Sequence, residues 1–274
     1  MGTLYLVGTP IGNLEDVSLR ALRVLREVLL VAAEDTRQTR KLFARHGIHT
    51  PLTSYFEHNK VTKLDSILSA LDTGDIALVS EAGMPGISDP GYELVRAAID
   101  RGHSVAPVPG PSAVIAALAA SGLPTDAFVY LGFLPRRSVE RRRLLAEVAG
   151  ERRTLVGYEA PHRLVDSLDD VVAILGDRPI AVARELTKLH EEIWRGATRD
   201  AAAHFREVQP RGEFTLVIGG APEPPRWPEA QLEAALSERL VQGMPMRTAA
   251  AEVAAASGWP RRDTYRLAVR RARG

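Results

Sequence analysis

Seven short apolar runs punctuate the first 220 residues, at 4–7, 76–79, 105–108, 128–131, 154–158, 180–183 and 214–218. Runs this short, without polar alternation, are what strands buried on both faces look like. Amphipathic stretches lie between several of them. Leu19, Leu22, Leu25 and Leu29 recur at helical spacing behind Ser18, an expected N-cap. Leu64, Ile67, Leu68 and Leu71 make a second helix face ended by Gly74. Leu94, Val95, Ala98 and Ile99 make a third, followed by Gly102. Strand–helix alternation predicts an α/β fold of parallel sheets covered by helices.

The punctuation divides the chain. Gly122-Leu123-Pro124-Thr125 is the expected hinge, and Ala221-Pro222-Glu223-Pro224-Pro225 the expected linker, because proline stiffens the chain and removes donors. The predicted domains are residues 1–121, 122–221 and 222–274. Helices are expected in the last segment over 229–240, 247–256 and 261–271, with Pro260 opening the third. This pattern suits a helix-turn-helix or a plain small bundle.

Composition narrows the chemistry. The chain has no cysteine, which excludes disulfides, thiolate metal sites and a cysteine nucleophile. No apolar run approaches the roughly 18 residues of a membrane span, and the start reads straight into structure, so neither a membrane segment nor a signal peptide is expected. Lys+Arg 35 against Asp+Glu 34 leaves a net charge of +1. The basic charge is clustered, however. Residues 136–153 hold seven Arg against three Glu, and residues 226–274 nine Arg against four Glu and one Asp. Either segment could meet a phosphate backbone or be a solvated face.

The unusual segments all follow apolar runs: 8–13 (GTPIGN), 34–37 (EDTR), 80–91 (SEAGMPGISDPG), 109–112 (PGPS), 158–163 (YEAPHR) and 184–188 (RELTK). Ligands of open α/β sheets bind outside the carboxyl ends of the strands, so these loops predict one composite site. No GxGxxG, GxxxxGK[ST], HExxH or GxSxG is present, and no metal site is predicted. Pro10 removes an N–H that a phosphate cradle would use. The loop therefore suits a ligand held by apolar edges and backbone carbonyls.

In order, GTPIGNLEDVSLRAL, EDTRQTRKL, SEAGMPGISDPG, PVPGPSA, SGLPTD, GFLPR, YEAPHRL, ARELTKLHEE and RGEFTLVI resemble segments of the tetrapyrrole-methylase superfamily. Within it they resemble the ribosomal small-subunit methyltransferase I family. The resemblance covers residues 3–219. It implies two α/β domains of the tetrapyrrole-methylase type with S-adenosylmethionine in the cleft between them, plus a C-terminal helical segment. It also implies a cytoplasmic homodimer that methylates the ribose 2′-oxygen of a cytidine in the decoding region of 16S rRNA. Matched to that superfamily, the cofactor residues would be Pro10, Gly83, Met84, Ile87, Ser112, Ala113, Tyr158, Ala160, Ala183 and Thr215. The commoner family form has Asp at Glu81, Thr at Met84 and Ser at Ala160. Met84 lacks the hydroxyl and with it any side-chain hydrogen bond made through it, while backbone contacts by Met84 would survive the change.

A ribose hydroxyl is a weak nucleophile, so a carboxylate or a cation near it would help. Asp35, Glu81, Asp89 and Lys188 are the catalytic candidates. Arg37, Arg136, Arg137, Arg141, Arg142, Arg163 and Arg184 are expected to contact RNA. Two other readings stand: a corrin or other small-molecule methyltransferase of the same superfamily, and a ligand-sensing DNA-binding regulator.

Overall fold

In a computed structural model, residues 2–223 and 226–272 are described. Part of the expected linker, Pro224 and Pro225, and the chain end at Arg273 and Gly274 lie outside them. The chain forms two compact units, residues 1–220 and 221–274.

The first unit holds two five-stranded sheets. One is built from β1 (Thr3–Val7), β2 (Leu30–Ala33), β3 (Leu52–Ser54), β4 (Ile76–Val79) and β5 (Ser104–Val108), in the order β3-β2-β4-β1-β5, all parallel. Helices α1 (Leu19–Glu27), α2 (Thr36–His46), α3 (Lys60–Thr73) and α4 (Tyr92–Asp100) connect these strands. The strands alternate their faces. Ala77 and Val79 of β4 pack with Leu22, Leu25, Leu42 and Phe43. Ile76 and Leu78 pack on the other face with Ile67, Leu68, Leu71 and Leu94. Both faces are covered, which is why β4 reads as an uninterrupted apolar run.

Ser18 caps α1, its Oγ accepting the Ala21 N–H at 3.0 Å. The buried stripe of this helix is Ala21, Leu22, Val24 and Leu25. Leu19 is exposed and Leu29 lies past the helix end, so the expected face ran too long at both ends.

The second sheet is β6 (Phe128–Phe133), β7 (Thr154–Glu159), β8 (Pro179–Arg184), β9 (Glu192–Ala197) and β10 (Phe214–Ile218), in the order β6-β7-β10-β8-β9. This corrects the expectation of parallel strands throughout. Only β6 and β7 are parallel; β10 runs antiparallel to both neighbours, and β8 and β9 form an antiparallel pair. A continuous apolar run records burial on two faces and says nothing about strand direction. Helices α6 (Ser138–Glu147), α7 (Leu164–Leu175) and α8 (Thr198–Glu207) cover one face through Leu145, Leu164, Leu168, Val171 and Phe205. The other face is covered by α5 (Ala113–Ser121), which follows the first sheet in sequence. Its Val114, Ala117 and Leu118 pack on Val156, Ala181, Ala183 and Val217. The chain thus passes from β5 of the first sheet into a helix that packs on the second. The expected hinge begins where α5 ends, at Gly122.

In the second unit, α9 (Glu229–Val241), α10 (Met246–Ser257) and α11 (Arg261–Ala272) close around Leu232, Leu236, Val253, Leu267 and Ala268. The Trp259 indole donates to the Trp227 carbonyl at 2.7 Å, tying the turn before α11 to the entry of α9.

One ion cluster anchors the basic helix α6 to α7. Asp170, buried, accepts from Arg141 at 2.7 Å, Arg142 at 2.6 Å and Ser138 at 2.9 Å. Burial pushes its carboxyl up, but these donors outweigh burial and hold it below the usual range. Asp170→Ala would leave the buried Arg141 guanidinium without its partner. The expected loss is about 3–5 kcal/mol, read as a lower urea midpoint.

Candidate functional site

The loops beyond the first sheet's carboxyl edge are knitted by backbone contacts. A Cβ on Gly8 would stand 2.7 Å from the Gly110 Cα, so the loops after β1 and β5 touch where no side chain fits. Thr9 and Gly83 exchange backbone hydrogen bonds at 2.9 and 3.1 Å, joining the β1 loop to the long loop after β4. Ser80 supports that loop by donating to the Gly83 carbonyl at 3.3 Å. The β1 loop also reaches the second sheet, where the Asn13 N–H donates to the Thr187 hydroxyl at 3.0 Å. Ser88, Glu185 and Thr187 hold left-handed backbone, at φ 64°, 50° and 64°. All three sit in these loops, where strain of this kind clusters at ligand sites.

The loops enclose a cavity of about 530 Å³, within the usual range for small-molecule sites. Glu34, Glu81, Asp89, Met84 and Ile87 line it from the first sheet, and Ser112 to Ile115 from the start of α5. From the second sheet come Phe128, Tyr130, Phe133, Tyr158, Thr215 and the loop residues Glu185 and Lys188. Ser88 and Tyr130 share a 2.6 Å hydrogen bond across the two halves. Tyr130 and Tyr158 meet edge to face, their ring centres 5.6 Å apart.

Three carboxyl groups share one wall. Burial pushes Asp89 up to about 7; the nearby Glu34 charge adds to this, a Ser80 hydrogen bond opposes it, and Glu81 adds a little more. Burial also raises Glu34, against the Glu81 N–H it accepts at 3.0 Å. On the opposite side, Lys188 donates to Glu185 at 2.9 Å. Burial lowers the Lys188 ammonium, but its acidic partners outweigh burial and hold it above the ordinary range.

The expected residues sort by place. Glu81, Asp89 and Lys188 line the cavity, as do Gly83, Met84, Ile87, Ser112, Ala113, Tyr158 and Thr215. Pro10, Ala160 and Ala183 do not. Asp35 stands outside the cavity lining. It caps α2 through the Arg37 N–H at 2.7 Å and pairs with the Arg37 guanidinium at 2.8 Å. Arg37 holds its carboxyl at about 2, which makes it a poor proton acceptor at neutral pH. Arg141 is buried against Asp170. Arg163 is spent inside, pairing with buried Glu159 at 2.6 Å and donating to the Leu134 carbonyl at 3.1 Å. Arg184 pairs with Glu192 at 2.6 Å. Arg136, Arg137 and Arg142 are exposed, Arg142 while still paired to Asp170. Sequence reasoning missed Tyr130 and Phe133 as site residues; their only sequence signal is aromatic character at the end of an apolar run.

The fold and the placement of this cavity define the class. A family model described as Tetrapyrrole (Corrin/Porphyrin) Methylases matches residues 3–202. The solved methyltransferase CobJ superposes with a TM-score of 0.62 at 19% identity, over 81% of this chain and 95% of that one. Uroporphyrin-III-C-methyltransferase from Thermus thermophilus does so with a TM-score of 0.57 at 21% identity, over 79% and 94%. A second model, described as RsmI C-terminal HTH domain, matches residues 228–272.

Proteins named ribosomal RNA small subunit methyltransferase I are much nearer. That of Halalkalibacterium halodurans is 48% identical over 97% of this chain and 94% of its own length. That of Synechocystis is 48% identical over 98% of each. The Thermotoga maritima relative is 49% identical over 80% of this chain and 99% of its own length. The chain belongs to the ribosomal RNA small subunit methyltransferase I family, within the tetrapyrrole methylases.

Because Asp89 is raised in the folded chain, its contribution to stability is present at low pH and is lost as pH rises through about 7. Asp89→Asn stays neutral throughout. Its melting temperature should therefore gain on that of the unaltered chain between pH about 4 and about 8. A constant difference across that range would show that Asp89 ionises normally.

Proposed function

We propose that the chain transfers a methyl group from S-adenosylmethionine to the ribose 2′-oxygen of a cytidine in the decoding region of 16S rRNA, with the small ribosomal subunit as substrate. The supporting observation is a cavity walled by carboxylates and tyrosines at the strand ends, in a chain that matches relatives of that name over nearly its whole length. Those names favour neither the corrin reading nor the DNA-binding sensor. The ribosomal substrate also favours a cytoplasmic enzyme, and the family resemblance a homodimer. No helix among the described residues is long and apolar enough to cross a membrane.

The residues present fit the donor. A cavity of about 530 Å³ suits a nucleoside-sized ligand. Glu34, Glu81 and Asp89 are complementary to a cationic sulfur and a ligand ammonium. When bound, the donor supplies a methyl group activated on a positively charged sulfur. The chain's own part is to hold the ribose in line, exclude water and manage one proton. Asp89, poised near neutrality, accepts the proton that the 2′-hydroxyl loses as oxygen bonds to carbon. Lys188, held protonated by Glu185 and Glu213, balances the charge that develops on that oxygen. Arg136, Arg137 and Arg142 offer exposed cations to RNA phosphate.

Unmethylated small subunits incubated with tritiated S-adenosylmethionine should take label at one cytidine, located by mass mapping of the RNA. Label on the RNA base or on protein would overturn the assignment. Lys188→Ala and Asp89→Asn should each lower the single-turnover rate about 100-fold; full rates would remove both from the chemistry.

The second unit carries Arg247, Arg261, Arg262 and Arg270 on its surface, and adds contact to the large substrate. Truncation after Gly220 should leave donor binding intact and flatten the salt dependence of subunit binding. The Thermotoga maritima relative, matched along nearly its entire length by 80% of this chain, supports that cut. An unchanged salt slope would take the helices out of the contact.

A further inference from the structure

Strand β6 places alternate side chains on two faces. Phe128 and Tyr130 pack toward α5, while Val129 and Leu131 pack with the helices of the opposite face. By that period Gly132 would face the cavity and Phe133 would be turned away. The register breaks here instead. Tyr130 pairs with Val156, but Phe133 pairs with Tyr158, so β6 spends three steps where β7 spends two. Gly132 absorbs the extra residue in left-handed backbone at φ 69°. Such bulges re-aim a side chain and are rare between parallel strands. The Leu134 N–H then rejoins the ladder at the Tyr158 carbonyl, 3.0 Å away, and its side chain returns to the core.

The product of the bulge is one ring. Phe133 lies at the cavity, its centre 5.1 Å from that of Tyr158, with 57% of its surface exposed. Arg136 and Arg137, both exposed, follow at once where the chain enters α6. A large apolar ring delivered by a local irregularity, left half open and followed by cations, suits a planar ligand attached to a phosphate chain. Single-stranded RNA is recognised in this way, with unstacked bases laid on aromatic side chains and phosphates held by arginine.

We propose that Phe133 is the platform on which a splayed RNA base stacks, so that the ribose of that nucleotide, or of its neighbour, is presented to the cavity. Phe133 is then a positioning residue for the acceptor and leaves the donor to the carboxylate wall. The inference rests on the ribosomal RNA reading above. It concerns one nucleobase site, and the adenine of the donor is the other ring that could occupy it.

Three variants at this position, Phe133→Ala, Phe133→Leu and Phe133→Trp, separate the possibilities. Each is compared with the unaltered chain for methylation of unmethylated small subunits and, by calorimetry, for binding of S-adenosylmethionine. Phe133→Ala should lower kcat/KM about tenfold or more, chiefly through KM. Phe133→Leu, which keeps the apolar cover without a π face, should fall nearly as far, and Phe133→Trp should restore most of the loss. Donor affinity should stay within about twofold throughout. Equal kcat/KM in all three variants, or a leucine variant as good as phenylalanine, would reduce Phe133 to a cover for Tyr158. A parallel loss of donor affinity would place the donor's adenine on the ring. In both cases labelling by the unaltered chain shows that the enzyme reading survives without this inference. An unaltered chain that binds donor but never labels subunits would bring down both together.

Discussion

The contact on which the site depends is the meeting of backbones at Gly8 and Gly110, braced by the paired hydrogen bonds of Thr9 and Gly83. It draws the loops after β1, β4 and β5 onto one spot above the sheet. With those loops fixed, Glu34, Glu81 and Asp89 must share a wall, and their crowding and partial burial raise Glu34 and Asp89. The acid–base character of the site thus follows from a packing constraint between main chains, with no partner cation needed on that wall.

Helix α5 is the second determinant. It starts beside the cavity, with Ser112 accepting the Ile115 N–H as its cap, and it buries its apolar face against the second sheet. One helix therefore links the two halves of the binding wall through the core. The Ser88–Tyr130 hydrogen bond and the Asn13–Thr187 contact repeat that link nearer the surface. A cavity spanned by so many ties is pre-organised, which suits a reaction whose acceleration comes largely from alignment.

Much of this was legible in the sequence. Strands buried on both faces announce themselves as apolar runs, and the loops behind them stand out by their glycine and proline content. The tips that line the cavity were found in that way, along with Glu81, Asp89 and Lys188. Two of the four edge strands, β3 and β9, were not, whereas β5 and β6 were. β3 spans three residues, and β9, reading EIWRGA, has its apolar residues interrupted by Glu192 and Arg195 and so forms no continuous apolar run. The arginines were the least legible. Arg136 and Arg141 differ by five positions in one basic run, yet one is exposed and the other sits against Asp170, 29 residues further on. Charge density records how many cations a segment holds and gives no sign of which have found a carboxylate in the fold. The aim of Phe133 was hidden for a related reason, since a bulge is a property of two strands in register.

The placement of β10 has a consequence for how the molecule comes into being. This strand lies in the middle of its sheet, between β7 and β8, yet it is the last of the ten to leave the ribosome. Until residues 214–218 emerge, β7 and β8 each expose an unpaired edge to every other strand in the cell. The nascent chain must wait for its final hydrophobic segment before the second sheet can close, a long-range event of the slow kind. The half whose pairing waits on the end of its sequence is therefore this one, while the first sheet, complete by residue 108, has no such delay.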